Sequence, residues 1–181
     1  MRKIHLSVAL AALLGLYCGA AAAHNNEDTA ADVVTGVVPL GAYALAYFKD
    51  DDLGQRQWLF NTGAELILNT AARGIFDQTS LGRRPNGNHY GFPSGHAGFV
   101  FSGAAFLQDR YGWQYGVPAY VLASAVAYER VDRHHHRARD VIAGAALSIG
   151  ISKLFVTPEN ATHLAPVIGP DFLGMRWQRS F

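Results

Sequence analysis

The stretch FPSGHAGFVFSGAAFL, residues 92–107, decides how this chain is read. From Ala97 to Leu107 it runs apolar or small without a break, too long for a strand at ordinary spacing, so it reads as a helix. Pro93 sets up the turn in front of it, and Gly95 lets the backbone approach closely. Ser94 and Gly95 therefore sit where a helix begins. The unpaired N–H groups and the positive dipole end at such a position favour an anion.

Working outward, four more stretches share this character: Val33 to Phe48, Trp58 to Phe76, Val117 to Tyr128 and Val141 to Val156. The breakers fall between them, in Lys49 to Gln57, Gly82 to Pro93, Arg110 to Gly116 and Val131 to Arg139, and Pro158 ends the last. No repeat or linker is visible. The expected fold is all-α, a single helical bundle of about five core helices with a site at one end. His24 to Asp32 is polar and reads as loose, and the tail to Phe181 has no clear period. Its last residues, Gly174 to Phe181, resemble the ending of an outer-membrane strand. One strand cannot close a barrel, so they are read as a tail packing on the bundle.

Composition narrows the function. Of 181 residues, half are hydrophobic and 16% charged, with 15 Lys and Arg against 14 Asp and Glu. That excludes a disordered polar chain and a coiled coil, and argues against a nucleic-acid binder working through a basic surface. The lone Cys18 leaves no disulfide framework and no Cys-rich zinc site. Arg2 and Lys3, the apolar run Leu6 to Tyr17 and the small residues ending at Ala23 have the order of a secretory signal. Residues 1–23 are thus expected to be a signal peptide and 24–181 the working domain, in the periplasm or cell envelope. No helix offers an unbroken apolar run of ~20 residues. Asn61, Glu65 and Asn69 interrupt the second and Lys153 the fifth. The arginines fall at the outer end, against the positive-inside tendency. A soluble or peripherally attached bundle is expected rather than a membrane-spanning one.

Antiparallel packing gathers the chemistry. The end of helix two, the start of three, the end of four and the start of five share one face. There lie Arg83, Arg84, Arg130, Arg133, Arg137 and Arg139 with the Ser94–Gly95–His96 turn. Arginine forks match phosphate oxygens, so a phosphate-like oxyanion is the expected ligand. His136 and Asp140, four apart, share a helical face, so the carboxylate can fix the ring tautomer and free the other nitrogen as a nucleophile. His96, from another helix, can protonate the leaving oxygen. The run His134-His135-His136 with Asp132 is an alternative metal set. Consecutive histidines cannot all reach one ion from a helix, and the arginines repel cations, so no metal is expected.

These residues resemble the type 2 phosphatidic acid phosphatase superfamily, which includes bacterial class A acid phosphatases and vanadium haloperoxidases. Its pattern is Lys-x6-Arg-Pro, then Pro-Ser-Gly-His, then Ser-Arg-x5-His-x3-Asp. Arg84-Pro85, Pro93-Ser94-Gly95-His96 and Arg130-x5-His136-x3-Asp140 match it in order and spacing. The resemblance implies that His136 forms a phosphohistidine, Asp140 orients it, and His96 protonates the leaving group and then activates water. Arg84, Arg130, Ser94 and the Gly95 N–H would hold the phosphate, without metal or cofactor. The implied activity is that of an exported phosphatase. Its substrate would be a phosphomonoester or pyrophosphate, of a lipid or as a small phosphate ester, with a membrane surface as a compatible partner.

Two positions depart from the pattern. Glu129 replaces the family serine, and Asp77 stands where the lysine belongs. Arg73, one helical turn earlier, is the expected substitute. Without it, the alternative is a non-catalytic anion-binding envelope protein. A vanadium haloperoxidase is a further alternative, and those enzymes are usually much larger.

Overall fold

The computed structural model describes residues 29–159 and the strands Thr162–Gly169 and Phe172–Arg179. The signal-peptide reading of residues 1–23 lies outside the described residues. Five helices follow one another: α1 Thr29–Phe48, α2 Asp52–Phe76, α3 Gly95–Tyr111, α4 Trp113–Asp132 and α5 Ala138–Phe155. Each contains one of the expected apolar stretches, except that Val156 caps α5 instead of continuing it.

The connections are tighter than their polar composition suggested. Asp51 caps α2, its Oδ1 accepting from Gly54 N at 2.9 Å, so the Asp-rich segment is mostly helix. Gly112 at φ 91° alone separates α3 from α4, a backbone setting that favours glycine. At the start, residues 29–32, read from sequence as loose, form the first turn of α1. Beyond the bundle, β1 (Thr162–Gly169) pairs antiparallel with β2 (Phe172–Arg179), Gly169 opposite Phe172. No period in the sequence announced this hairpin. The packing of its side chains on the bundle lies outside the described residues.

α3 is the central post, packed against all four other helices. Its close approach to α1 needs Gly103, where a Cβ would lie 2.6 Å from the Pro39 Cα. Val38, Val100, Ala104, Ala119, Ala123 and Val126 fill one half of the core, and Tyr43, Trp58, Phe106 and Tyr111 the other. The Trp58 indole donates to the Pro39 carbonyl at 2.8 Å.

Among the described residues the large exposed apolar side chains, apart from Tyr90 in the loop before α3, lie on the outer helices and spare α3: Val33 and Val37 on α1, Phe60 and Ile67 on α2, Val117 and Val121 on α4, and Ile142 and Leu154 on α5. Asn61, Glu65 and Asn69, which interrupt α2 in sequence, are all buried. They face inward and leave its outer face apolar.

The end opposite the site is closed by a buried ion pair. Arg110 grips Asp51 at 2.5 and 2.7 Å while the Tyr111 hydroxyl donates to the same carboxylate at 2.9 Å. Asp51→Ala strands the guanidinium and should lower unfolding stability by about 3–5 kcal/mol. Chemical denaturation checks this, and an unchanged midpoint would contradict it.

Candidate active site

The Pro-Ser-Gly-His block starts α3 as expected. Ser94 is the N-cap, wholly buried, its Oγ accepting from Ala97 N at 3.4 Å. Its own N–H donates to the Asp140 carbonyl at 2.9 Å, and its carbonyl accepts from Asn69 Nδ2 at 3.3 Å. The turn is thereby pinned between α2 and α5. Gly144 makes this close fit permissible, because a Cβ there would lie 2.5 Å from the Ser94 carbonyl oxygen.

Arg73 points into the cluster. Its Nη1 lies 3.2 Å from where a Cβ of Gly95 would stand, and its guanidinium sits 5.7 Å from the Tyr90 ring centroid. Asp77, in the family's lysine position, serves the loop instead. Its Oδ1 accepts from the Tyr90 N–H at 2.8 Å and lies 3.3 Å from His89 Nδ1. The Nε groups of Arg73 and Arg84 are buried and meet no acceptor among the described residues. A buried donor of this kind calls for an acceptor, and a phosphate oxygen supplies one. Burial, then the neighbouring Arg73 and Arg130, push the Arg84 guanidinium below its ordinary pKa, while Asp140 opposes the shift. The cluster gathers positive charge that an anion would offset.

Arg130, at the end of α4, is 1% exposed. Its Nε lies 2.7 Å from Glu129 Oε2, and the same carboxylate reaches Arg133 at 3.7 Å. The replacement of serine by Glu129 thus gives Arg130 a carboxylate neighbour that steadies it.

His136 differs from the expected geometry. It precedes α5, whose N-cap is Arg137, so it does not share a helical face with Asp140. Its Nδ1 faces the Gly91 carbonyl at 2.8 Å, whereas Asp140 Oδ2 stands 4.0 Å away, beyond hydrogen-bond range. The Asp140 carboxylate is committed to the helix start, accepting from Arg137 N at 2.8 Å. With Nδ1 donating to Gly91, Nε2 carries the lone pair. Burial, with Arg84 adding to it, lowers the His136 pKa to about 3, against a weaker opposing pull from the Gly91 bond. The imidazole is therefore neutral at ordinary pH. His134 is exposed at φ 59° and His135 is half-buried, so the three histidines sit in three different environments.

His96, on the first turn of α3, meets a residue that sequence reasoning missed. Its Nε2 lies 2.9 Å from Asp32 Oδ1, and the same oxygen is 3.5 Å from Arg130 Nη2. The signal was available, since counting antiparallel helices puts the start of α1 at this end too. The carbonyl of Gly91 had no side-chain signal.

The order of these blocks on one bundle end agrees with a match of residues 57–161 to the PAP2 superfamily. The chain belongs to the PAP2 superfamily. This PAP2 chain is 35% identical over 100 residues to the lipid A 4'-phosphatase of Helicobacter pylori (strain J99), covering 54% of this chain and 50% of that protein. It is 28% identical over 145 residues to the lipid A 1-phosphatase of Porphyromonas gingivalis, covering 76% of this chain and 32% of that protein. It therefore spans half or less of the curated relatives it matches. The crystal structure of Aquifex aeolicus LpxE shares the fold, with a TM-score of 0.58 at 19% identity over 78% of this chain and 92% of that one. The resemblance in the motifs and the PAP2 match agree on family, and the LpxE structure agrees with the expected helical bundle.

Proposed function

We propose that this PAP2 protein is a phosphatase of a lipid phosphate, working through a phosphohistidine on His136. The observation that carries the reading is the setting of His136: buried, with Nδ1 held by the Gly91 carbonyl at 2.8 Å so that Nε2 keeps its lone pair. In the proposed reaction the Nε2 lone pair attacks phosphorus and the phosphorus–oxygen bond to the lipid breaks. The proton of His96 goes to the departing oxygen. Water, deprotonated by His96, then attacks the phosphohistidine, releasing inorganic phosphate and restoring the imidazole. Arg73, Arg84 and Arg130, with the Ser94–Gly95 helix start, stabilise the charge on the phosphoryl oxygens in place of a metal. The inward placement of Arg73 favours this reading over a non-catalytic anion binder.

The lipid is supported by the two lipid A phosphatase relatives and by the outer surface. On α1, α2, α4 and α5 the exposed residues between the two charged ends are uncharged. That band covers 12–16 residues per helix, roughly 18–24 Å at 1.5 Å per residue. Among the described residues one helix, Ala30–Phe48, is long and apolar enough by composition to cross a membrane. The proposal therefore revises the expectation of a soluble or peripherally attached bundle. The protein seats its apolar band in lipid and presents the arginine end at the headgroups, on the envelope side if residues 1–23 direct export. High-salt washing should leave it on membranes and detergent should release it.

Activity is tested with purified protein on lipid A and phosphatidic acid in mixed micelles, beside a water-soluble phosphomonoester. Release of phosphate that persists in EDTA and falls with vanadate is expected. Loss in EDTA would overturn the metal-independent mechanism. Because His136 titrates near 3, the rate should show no acid limb from it above about pH 4, so a fall at alkaline pH reports loss of the His96 proton.

A further inference from the structure

Asp32 belongs to α1, upstream of residues 57–161 that match the family. It is held at the site by the packing of α1 on α3 and α4. Its Oδ1 is 2.9 Å from His96 Nε2 and 3.5 Å from Arg130 Nη2, while its side chain is only 14% exposed. A carboxylate this close to an imidazole favours the protonated ring. The other charges around His96 mostly oppose it. Arg73 at the end of α2, Arg84 in the following loop and Arg130 on α4 are cations, and Glu129 beside Arg130 offsets part of their field. His136 faces the site neutral, and Asp140 is committed to the start of α5. Cations of this kind disfavour a protonated ring, and the Asp32 carboxylate opposes them.

We propose that Asp32 is a positioning residue of this site: its carboxylate keeps His96 protonated and aligned as the acid for the leaving oxygen. The N-terminal helix then completes the acid–base apparatus that the family motifs leave unfinished. Asp32 adds no atom to the substrate and takes no part in the phosphorus chemistry. It acts through the charge of His96, which it meets at 2.9 Å, more closely than Arg130 at 3.5 Å. This inference rests on the phosphatase reading for the acid role of His96 and for the kinetic arm of its test, and not for the coupling of Asp32 to His96.

The test follows His96 directly. Full-length protein carrying isotope-labelled histidine is titrated by NMR in detergent micelles, and His96→Gln assigns the resonance. Asp32→Asn, which keeps size and a hydrogen-bonding oxygen but removes the charge, should lower the His96 midpoint by about one pH unit or more. Asp32→Glu should restore most of that shift. An unchanged midpoint in folded Asp32→Asn overturns the proposal, whether or not the protein turns over lipid. In the kinetic arm, the alkaline limb of kcat should move down in Asp32→Asn by the same amount. A uniform loss of rate with an unmoved limb would mean a merely structural residue and would also overturn it. Wild-type protein without phosphatase activity defeats the reading of function, while the NMR result still decides Asp32.

Discussion

His136→Asn is expected to lose turnover by about ten-thousandfold or more, the scale seen when a nucleophile is removed from a catalytic set. The asparagine amide can take over the place of Nδ1 and donate to the Gly91 carbonyl, which in the wild type is 2.8 Å from the ring. What it lacks is Nε2, the nitrogen assigned to attack. The loop between α4 and α5 should stay in place, because His136 N–H still donates to the Arg130 carbonyl at 3.0 Å. The check is a pair of measurements on one preparation. The first is steady-state phosphate release, and the second is rapid-quench trapping of labelled phosphoenzyme under alkaline conditions that preserve a phosphohistidine. Wild type should label and His136→Asn should not. Substantial turnover in the variant would falsify the covalent mechanism.

The second large effect is at Arg73. Arg73→Ala should lower kcat about a hundredfold, the cost of removing one donor that stabilises transition-state charge. Arg73→Lys should lose far less, since a lysine there restores the positive charge, though as a point charge without the planar fork. Asp77→Lys in the Arg73→Ala background should fail to rescue. That position points its carboxylate at the Tyr90 N–H and His89, so a lysine there breaks the loop before it reaches phosphate. Recovery of activity in that double variant would return the clamp to the family's usual place. Kinetics on a lipid phosphate with a thermal melt for each variant separates lost chemistry from lost folding.

Much of this protein was legible from composition and spacing. Five apolar stretches in order, each closed by Gly, Pro or charged residues, specify helices through local physics. Antiparallel packing of neighbouring helices, which the mostly short connections favour, brings Arg84, Ser94, Arg130 and His136 to one end before any coordinate is known. Arg73 at one helical turn from Asp77 was legible for the same reason, because 3.6 residues per turn is a local constraint.

What depended on tertiary structure is each side chain's partner. Periodicity places His136 four residues from Asp140, but it does not say where α5 begins. Once Arg137 becomes the N-cap, the Asp140 carboxylate is used on the backbone and the histidine turns to a carbonyl from another loop. Backbone carbonyls carry no sequence signature, so Gly91 was invisible. Asp32 lay in a polar stretch with no period of its own. It became part of the site only because α1 docks on α3 and α4 with its first turn at the arginine end. The outer surface follows the same rule: Asn61, Glu65 and Asn69 interrupt an apolar run in one dimension, yet in three they all face the core, and the surface they leave behind is apolar. Local sequence determines which residues become helix. The pairing of charges across helices, and the apolar outer face, come from packing, because both depend on residues far apart in the chain.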